Sequence, residues 1–125
     1  MKRVMPLPGI LAVMILLAGC VGQKKSYNMD ESYDIAREFV LTSPTYRYDG
    51  GGLENTDAVT LECDSCWQFT FTFTSSHGGY GDRTGQMVAQ VLTPHVATVT
   101  VENGKVTRAI LDDTWDMMSQ KMLNE

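Results

Sequence analysis

The chain has 125 residues, 15 of them acidic and 10 basic, so its formal net charge at pH 7 is −5. This length suits a single domain. The basic residues are few and scattered, whereas proteins that bind nucleic acid need a concentrated positive surface. We therefore expect no nucleic-acid partner.

The first 19 residues differ in composition from the rest of the chain. Lys2 and Arg3 precede an apolar run from Val4 to Leu16. That run is shorter than the roughly 20 residues needed to span a bilayer, and it has the length of a signal-peptide core. Loss of the segment would change the net charge from −5 to −7, because it removes these two basic residues.

The apolar run ends in Leu17-Ala18-Gly19-Cys20, which resembles the lipobox of lipoprotein signal peptides. The resemblance implies cleavage after residue 19, a lipid thioether on Cys20 and a position on the outer side of a membrane, in the cell envelope. Two or three acyl chains anchor a protein stably, since each buried CH₂ contributes about 0.8 kcal/mol. Residues 20–28 would then be the lipidated cysteine and a polar tether. The alternative is an uncleaved membrane anchor.

A helix is predicted after the tether. Asn28 and Glu31 have the spacing of a capping box, and the residue before Pro44 avoids helical angles, so the helix should end there. Apolar or small residues recur between these points at intervals of three and four, which predicts one buried stripe. They are Ser32, Ile35, Ala36, Phe39 and Val40.

Strands are predicted further along the chain. The segment from Tyr46 to Asn55 contains three consecutive glycines and is predicted to be a loop. From Trp67 to Thr74, aromatic residues alternate with Gln and Thr, which is typical of a strand with one buried face. Met87 to Leu92 is predicted to be another strand, interrupted at Thr93-Pro94.

A hairpin is predicted around Asn103-Gly104, because both turn residues tolerate a positive φ. Its strands are Val96 to Val101 and Val106 to Leu111. A two-residue turn would pair Val101 with Val106. It would also pair Val99 with Arg108 and Ala97 with Ile110.

A short C-terminal helix is predicted from the spacing of Trp115, Met118 and Met122, with Asp112 or Asp113 as its cap. The complete pattern predicts one α+β domain over residues 29–125. In it the N-terminal helix packs on an antiparallel sheet of about four strands. The aromatic and Met side chains of the last helix, Met117 included, should pack on the sheet rather than bind a partner.

Three of these segments together resemble PepSY-type or cystatin-like exported domains. They are Ile35-Ala36-Arg37-Glu38-Phe39, Trp67-Gln68-Phe69-Thr70-Phe71 and Val99-Thr100-Val101-Glu102-Asn103-Gly104-Lys105-Val106. Gln86-Met87-Val88-Ala89-Gln90 is also similar to the cystatin inhibitory loop, except for a Gln where that family has Gly.

Cys63 and Cys66 are the first candidates for chemistry. In an exported chain a CxxC pair forms a disulfide, a zinc half-site or a redox centre. A redox centre of the thioredoxin type needs a helix N-terminus, and here Cys66 precedes a strand. Leu61 opposite Trp67 and Val59 opposite Phe69 would keep one apolar face, which favours a five-residue loop and a structural disulfide.

A glycine-rich segment, residues 75–86, is the second candidate. Glycines let the backbone approach a ligand closely, or simply allow a long loop. Its functional side chains are those of His77, Tyr80, Asp82, Arg83 and Gln86. One interpretation is a ligand loop in which Arg83 holds a carboxylate or phosphate. The other is an ordered loop with an Asp82–Arg83 surface pair and a buried Tyr80.

Metal binding is the third possibility. His77 and His95 with Cys63 and Cys66 have the residue types of a tetrahedral zinc site. They also leave open a Cys–His nucleophilic pair.

The acidic residues near the C-terminus are too few for calcium, which takes 6–8 oxygen ligands, so a helix-capping role is preferred. They are Asp112, Asp113 and Asp116.

The sequence therefore favours a non-catalytic binding or modulator module held on a membrane by lipid, with a protein, a peptide or a small ligand as partner. No nucleophile–base pair or pair of carboxylates stands at a recognisable spacing, so we expect no enzyme activity and no cofactor. The alternatives are a redox or metal-handling lipoprotein that uses the CxxC pair, and a structural envelope component.

Overall fold

The computed structural model describes residues 26–124. The predicted signal peptide, the lipidation site Cys20 and residues 21–25 of the tether lie outside the described residues. The described elements are α1 Met29–Thr42, α2 Pro44–Asp49, β1 Gly50–Thr60, β2 Cys66–Ser75, β3 Thr93–Glu102, β4 Lys105–Leu111, β5 Trp115–Asp116 and β6 Lys121–Met122.

Helix α1 begins and ends where its sequence predicts. The Asn28 side chain accepts a hydrogen bond from the Glu31 backbone at 2.8 Å, and the Glu31 side chain accepts one from the Asn28 backbone at 3.1 Å. Ser43, the residue before Pro44, is extended with ψ 149° and closes the helix. The buried positions Ser32, Ala36 and Val40 form the predicted stripe.

The six strands form one antiparallel sheet in sequence order, and α1 packs on one of its faces. The alternation in β2 is confirmed, since Phe69, Phe71 and Phe73 are buried against the helix side of the sheet. The α+β class is therefore confirmed. The sheet has six strands instead of about four because the last two form from the C-terminal segment.

The loop predicted from Tyr46 to Asn55 is wrong. Pro44 starts the second helix at its first position, where a missing N–H has no consequence, and β1 follows at once. β1 pairs along β2 with register shifts after Gly51 and after Asn55, and Gly52 has φ 70°. The glycines therefore form an irregular edge strand rather than a loop.

The strand predicted at Met87 to Leu92 is also wrong. This segment lies outside every strand, and most of it is exposed. β2 already has β1 on one side and β3 on the other, so its hydrogen-bonding edges are both occupied. β3 begins instead at Thr93 and runs through Pro94.

The hairpin at Asn103-Gly104 is confirmed, but its register holds only at the turn. Val101 pairs with Val106 as predicted. A bulge then shifts Val99 from Arg108 to Ala109, and likewise Ala97 from Ile110 to Leu111. The shift places Ala109 and Leu111, both 0% exposed, on the buried face and leaves Arg108 outside.

The predicted C-terminal helix is wrong, because the segment forms turns and the short strands β5 and β6. Asp112 and Asp113 have φ 56° and 59°, a left-handed conformation that turns the chain back onto β4. Their predicted capping role therefore does not apply. Met117 is buried and Trp115 packs on the core as expected, whereas Met118 is 48% exposed.

The antiparallel strands define two ends of the sheet. The hairpin end contains the first residue of β2, Cys66, the last residue of β3, Glu102, and the turn at Asn103-Gly104. The loop end contains Ser75, Thr93 and the connecting residues 76–92. The described chain enters at the hairpin end, where Tyr27 exchanges hydrogen bonds with the Ser65 hydroxyl and packs on Gly104.

Candidate functional site

Arg83 lies at the centre of the loop end and is only 1% exposed. Its Nη2 donates to Asp49 Oδ1 at 2.9 Å and to the Thr45 carbonyl at 3.1 Å, while Nε donates to the Gly81 carbonyl at 2.9 Å. Nη1 donates to three consecutive loop carbonyls, of His77, Gly78 and Gly79. All guanidinium donors are thus used inside the protein.

This burial corrects both interpretations of Arg83. A fully enclosed guanidinium cannot hold an external carboxylate or phosphate. Arg83 also forms no surface pair with Asp82, which is exposed and accepts from Thr84 instead. The role that the geometry gives Arg83 is to shape the loop around itself.

Two glycines allow this wrapping. Gly79 and Gly81 have φ 98° and 74°, conformations that other residues rarely adopt. A β-carbon at Gly79 would lie 3.0 Å from the Arg83 side chain. The N–H of Gly81 donates to Thr45 Oγ1 at 2.7 Å, so the loop is fixed to α2.

Asp49 is the acidic partner of Arg83, and its side chain is 7% exposed. Its Oδ2 lies 3.0 Å from His77 Nδ1 and accepts from the His77 backbone at 2.8 Å. Burial is the largest single influence and raises the pKa of Asp49. Hydrogen bonds, of which the one from the His77 side chain has the largest effect, outweigh burial together with the smaller effect of the Arg83 charge, and the pKa falls below its ordinary value of 3.8.

This pKa shift predicts an acid-dependent loss of stability. A carboxyl group whose pKa is lower in the folded state stabilises the fold above its unfolded pKa, and this contribution is lost as pH falls through the folded pKa. We expect the difference in unfolding free energy between wild type and Asp49→Asn to shrink as the pH falls below about 4. Urea unfolding at each pH measures it. A difference that grows as the pH falls below about 4 would contradict the assignment.

His95 is the second buried polar side chain at this end, 2% exposed. Its Nδ1 lies 2.6 Å from Asp112 Oδ2, and because a carboxylate can only accept, Nδ1 is the donor. Within residues 26–124, Nε2 has no hydrogen-bond partner. The ring packs against Phe73 and Tyr80 at centroid distances of 5.1 and 5.6 Å.

Tyr80 connects this histidine to the C-terminal segment. Its hydroxyl donates to Asp112 Oδ2 at 3.1 Å, and its ring stacks on Trp115 at 5.3 Å. Burial first, and then the charge and hydrogen bond of Asp112, raise the pKa of Tyr80 above 10.0. Tyr80 is half-buried, so its side chain contributes more to packing inside the loop end than to the exposed surface there.

The remaining loop candidates are exposed. Asp82 and Gln86 lie at the surface. After them the chain presents apolar side chains to solvent, with Met87 103%, Val91 54% and Leu92 74% exposed. We call residues 86–92 the apolar segment. No basic or acidic side chain interrupts it.

The cysteine pair lies at the other end of the sheet, where Cys63 and Cys66 are joined by a disulfide. The bond closes the turn into β2. The register of β1 differs by one residue from the predicted one, because Thr60 instead of Leu61 lies opposite Trp67. Likewise, Ala58 instead of Val59 lies opposite Phe69. Ala58 fits the aromatic core there, and Val59 is 43% exposed on the other face.

The predicted zinc set is not assembled. Cys63 and Cys66 are bonded at the hairpin end, whereas His77 and His95 lie at the loop end. The same separation removes a Cys–His nucleophilic pair. In the part of the chain that is described, no group of three or more potential metal ligands occurs.

The disulfide stabilises the turn that holds the N-terminal segment. Ser65, inside the CxxC loop, accepts from Asn103 N at 2.9 Å through its carbonyl and bonds Tyr27 through its hydroxyl. A loop this short gains about 2 kcal/mol from closure. We expect the double variant Cys63→Ser/Cys66→Ser to lose about that much unfolding free energy in urea. No loss, or an unfolded protein, would contradict a modest structural role.

Exposure alone would make Cys63 accessible to another thiol, because it lies at the surface while Cys66 is 1% exposed. However, the acidic residues Glu62 and Asp64 flank it, and their negative charges repel an incoming thiolate, the form that attacks a disulfide sulfur. Neither the helix N-terminus nor the basic neighbour typical of a reactive cysteine stands beside it in the sequence.

The acidic partners that organise this end are distant in sequence from the residues they bind. Asp49 is 34 residues from Arg83, and Asp112 is 17 residues from His95. Asp49 lay in a segment predicted to be a loop, and Asp112 was assigned to a helix cap. Asp112 directly follows a predicted strand, whereas no sequence pattern marks Asp49.

Comparison with known proteins adds no relative to this geometry. No protein-family model matches the chain, and no curated protein or solved structure is similar enough to count as a match. The resemblance to PepSY-type and cystatin-like domains therefore stays a prediction. Over residues 26–124 no helix is long and apolar enough to cross a membrane.

Proposed function

We propose that the protein is an exported lipoprotein, anchored through Cys20, whose domain is a non-catalytic binding module. The observation that carries the binding function is the apolar segment. Three large apolar side chains, Met87, Val91 and Leu92, are more than half exposed on one loop. Several large apolar side chains exposed on one loop favour an interaction site.

The position of the segment supports a partner on the side away from the membrane. Cys20 precedes Ser26 by six residues, so an extended tether reaches about 20 Å. Chain entry is at the hairpin end, and β2 places the loop end about 30 Å further on. A domain whose hairpin end faces the membrane would present the apolar segment on the side away from the membrane.

The buried network explains why the segment can be exposed without being loose. Arg83 binds the carbonyls of residues 77–79 and 81, and Gly78 N donates to the Ala89 carbonyl at 3.0 Å. A pre-organised loop loses less conformational entropy on binding than a flexible one. The buried charges therefore support recognition rather than catalysis.

The anchor is tested by replacing Cys20 with Ser in the full chain. We expect the wild-type protein to remain in the membrane fraction, to lack residues 1–19 and to carry the added mass of lipid, and the variant to carry no lipid. Equal membrane retention without lipid mass in both would support the uncleaved anchor instead.

The binding function is tested by a photo-reactive amino acid placed at position 87 and, as a control, at exposed position 105 of the hairpin end. In intact cells we expect position 87 to crosslink to a discrete protein and position 105 not to do so. Crosslinking that is absent at 87, or identical at both positions, would contradict the proposal.

A further inference from the structure

A cleft of about 590 Å³ opens between the two helices and the glycine-rich loop. This volume is typical of small-molecule sites. None of its lining residues belongs to the apolar segment. Its lining residues are Thr42, Pro44, Arg47, Tyr48, Asp82 and Thr84.

The two walls of the cleft are held in fixed positions by Arg83. The guanidinium donates to Thr45 and Asp49 of the helical wall and to the carbonyls of the loop wall. Its Cζ also lies 4.6 Å from the centre of the ring of Tyr48, which is one of the lining residues. A buried ion pair contributes little net stability, so this arrangement is better explained by the positions that it fixes.

The charged groups that line the cleft are available to a ligand. Arg47 is exposed and has no ion-pair partner among residues 26–124. On the opposite wall, Asp82 Oδ1 accepts from the Thr84 backbone and hydroxyl, and no hydrogen bond of Oδ2 occurs among residues 26–124. These hydrogen bonds lower the pKa of Asp82, so the carboxylate is charged at neutral pH.

The combination of one cation and one anion decides between classes of ligand. A simple anion would meet Arg47 but be repelled by Asp82. A neutral sugar can form hydrogen bonds with both charged groups but neutralises neither of them. A molecule with both a carboxylate and an ammonium group satisfies both walls.

We propose that this cleft binds a small zwitterion of the amino-acid or short-peptide class. Its carboxylate pairs with Arg47 and its ammonium group with Asp82, while its apolar part lies against Tyr48 and Pro44. This site does not depend on lipid anchoring or on a protein partner at the apolar segment.

The proposal is tested by calorimetric titration of the full chain in detergent micelles with the dipeptide Ala-Ala. Its N-acetylated and C-amidated forms, each with one charge removed, and glucose serve as comparison ligands. We expect millimolar or tighter binding of the free dipeptide, with affinity for each blocked form at least about tenfold weaker.

Two variants assign the charges. Arg47→Ala should remove the advantage of a free carboxylate and keep that of a free amine. Asp82→Asn, which retains an acceptor oxygen for Thr84, should do the opposite. Arg37→Ala, an exposed arginine of α1 outside the cleft, is the control and should leave every affinity unchanged. Blocked forms that bind as well as the free dipeptide, glucose binding without dipeptide binding, or no binding at all would overturn the proposal.

Discussion

Replacement of Arg83 by Met should lower the unfolding free energy by about 3–5 kcal/mol, the effect of leaving a buried charge unpaired. Met has an apolar stem of similar length but no donors. The Asp49 carboxylate would lose its ion pair, and the carbonyls of residues 77–79 and 81 would lose their shared donor. Urea unfolding measures the change.

Two further variants make this result specific to the buried pair. Arg37→Met removes an exposed arginine and should change stability by less than about 0.5 kcal/mol. The double variant Arg83→Met/Asp49→Leu leaves no unpaired charge, so its loss should be smaller than the sum of the two single losses. A loss below about 1 kcal/mol for Arg83→Met would show that the network does not organise the loop.

Asp112→Ala should cost about 3 kcal/mol, because three donors converge on this carboxylate. Its Oδ2 accepts from the Tyr80 hydroxyl and lies 2.6 Å from His95 Nδ1, and its Oδ1 accepts from Val96 N at 2.7 Å. His95 is buried, so water does not replace the lost acceptor there. Urea unfolding again gives the magnitude.

The neighbouring residue provides a matched control. Asp113 has the same left-handed backbone, φ 59° against 56° for Asp112, but it is exposed and no hydrogen bond of its side chain occurs in the described part of the chain. Asp113→Ala therefore measures the cost of placing alanine in this left-handed backbone conformation, without the loss of a hydrogen-bond acceptor. We also expect the pKa of Tyr80 to fall towards its ordinary value in Asp112→Ala alone, which a tyrosine absorbance titration measures. Equal effects of the two substitutions would contradict the role of the Asp112 side chain.

The elements that could be predicted from the sequence are those with a complete local signal. The capping box at Asn28 and Glu31, the aromatic alternation in β2 and the Asn103-Gly104 turn each specify their own geometry within a few residues. Such local signals do not depend on contacts with the rest of the chain.

The incorrect predictions share a non-local cause. β1 has no alternation of its own and forms because β2 offers a free edge. Met87 to Leu92 has strand-like composition but no free edge to join. The bulge in the hairpin is favoured because it buries Ala109 and Leu111. The turn sequence alone does not specify this bulge.

The candidate site could be predicted only as a location. Glycine content and side-chain density identified the 75–86 loop, but its central arginine faces inward. Its partner Asp49 is distant in sequence and could not be identified without the fold. The apolar segment was hidden for the same reason, because a predicted strand is not expected to be exposed.

The most direct test of the account is whether the apolar segment is the surface that meets a partner. The double variant Met87→Glu/Leu92→Glu adds charge at two exposed positions, and Val59→Glu adds one at an exposed apolar position of β1 as control. After crosslinking in intact cells, we expect the wild type and Val59→Glu to form the same discrete adduct with another protein. The double variant should lose this adduct while keeping its membrane retention and its unfolding midpoint. An unchanged adduct in the double variant, or none with the wild type, would contradict a binding function at the loop end.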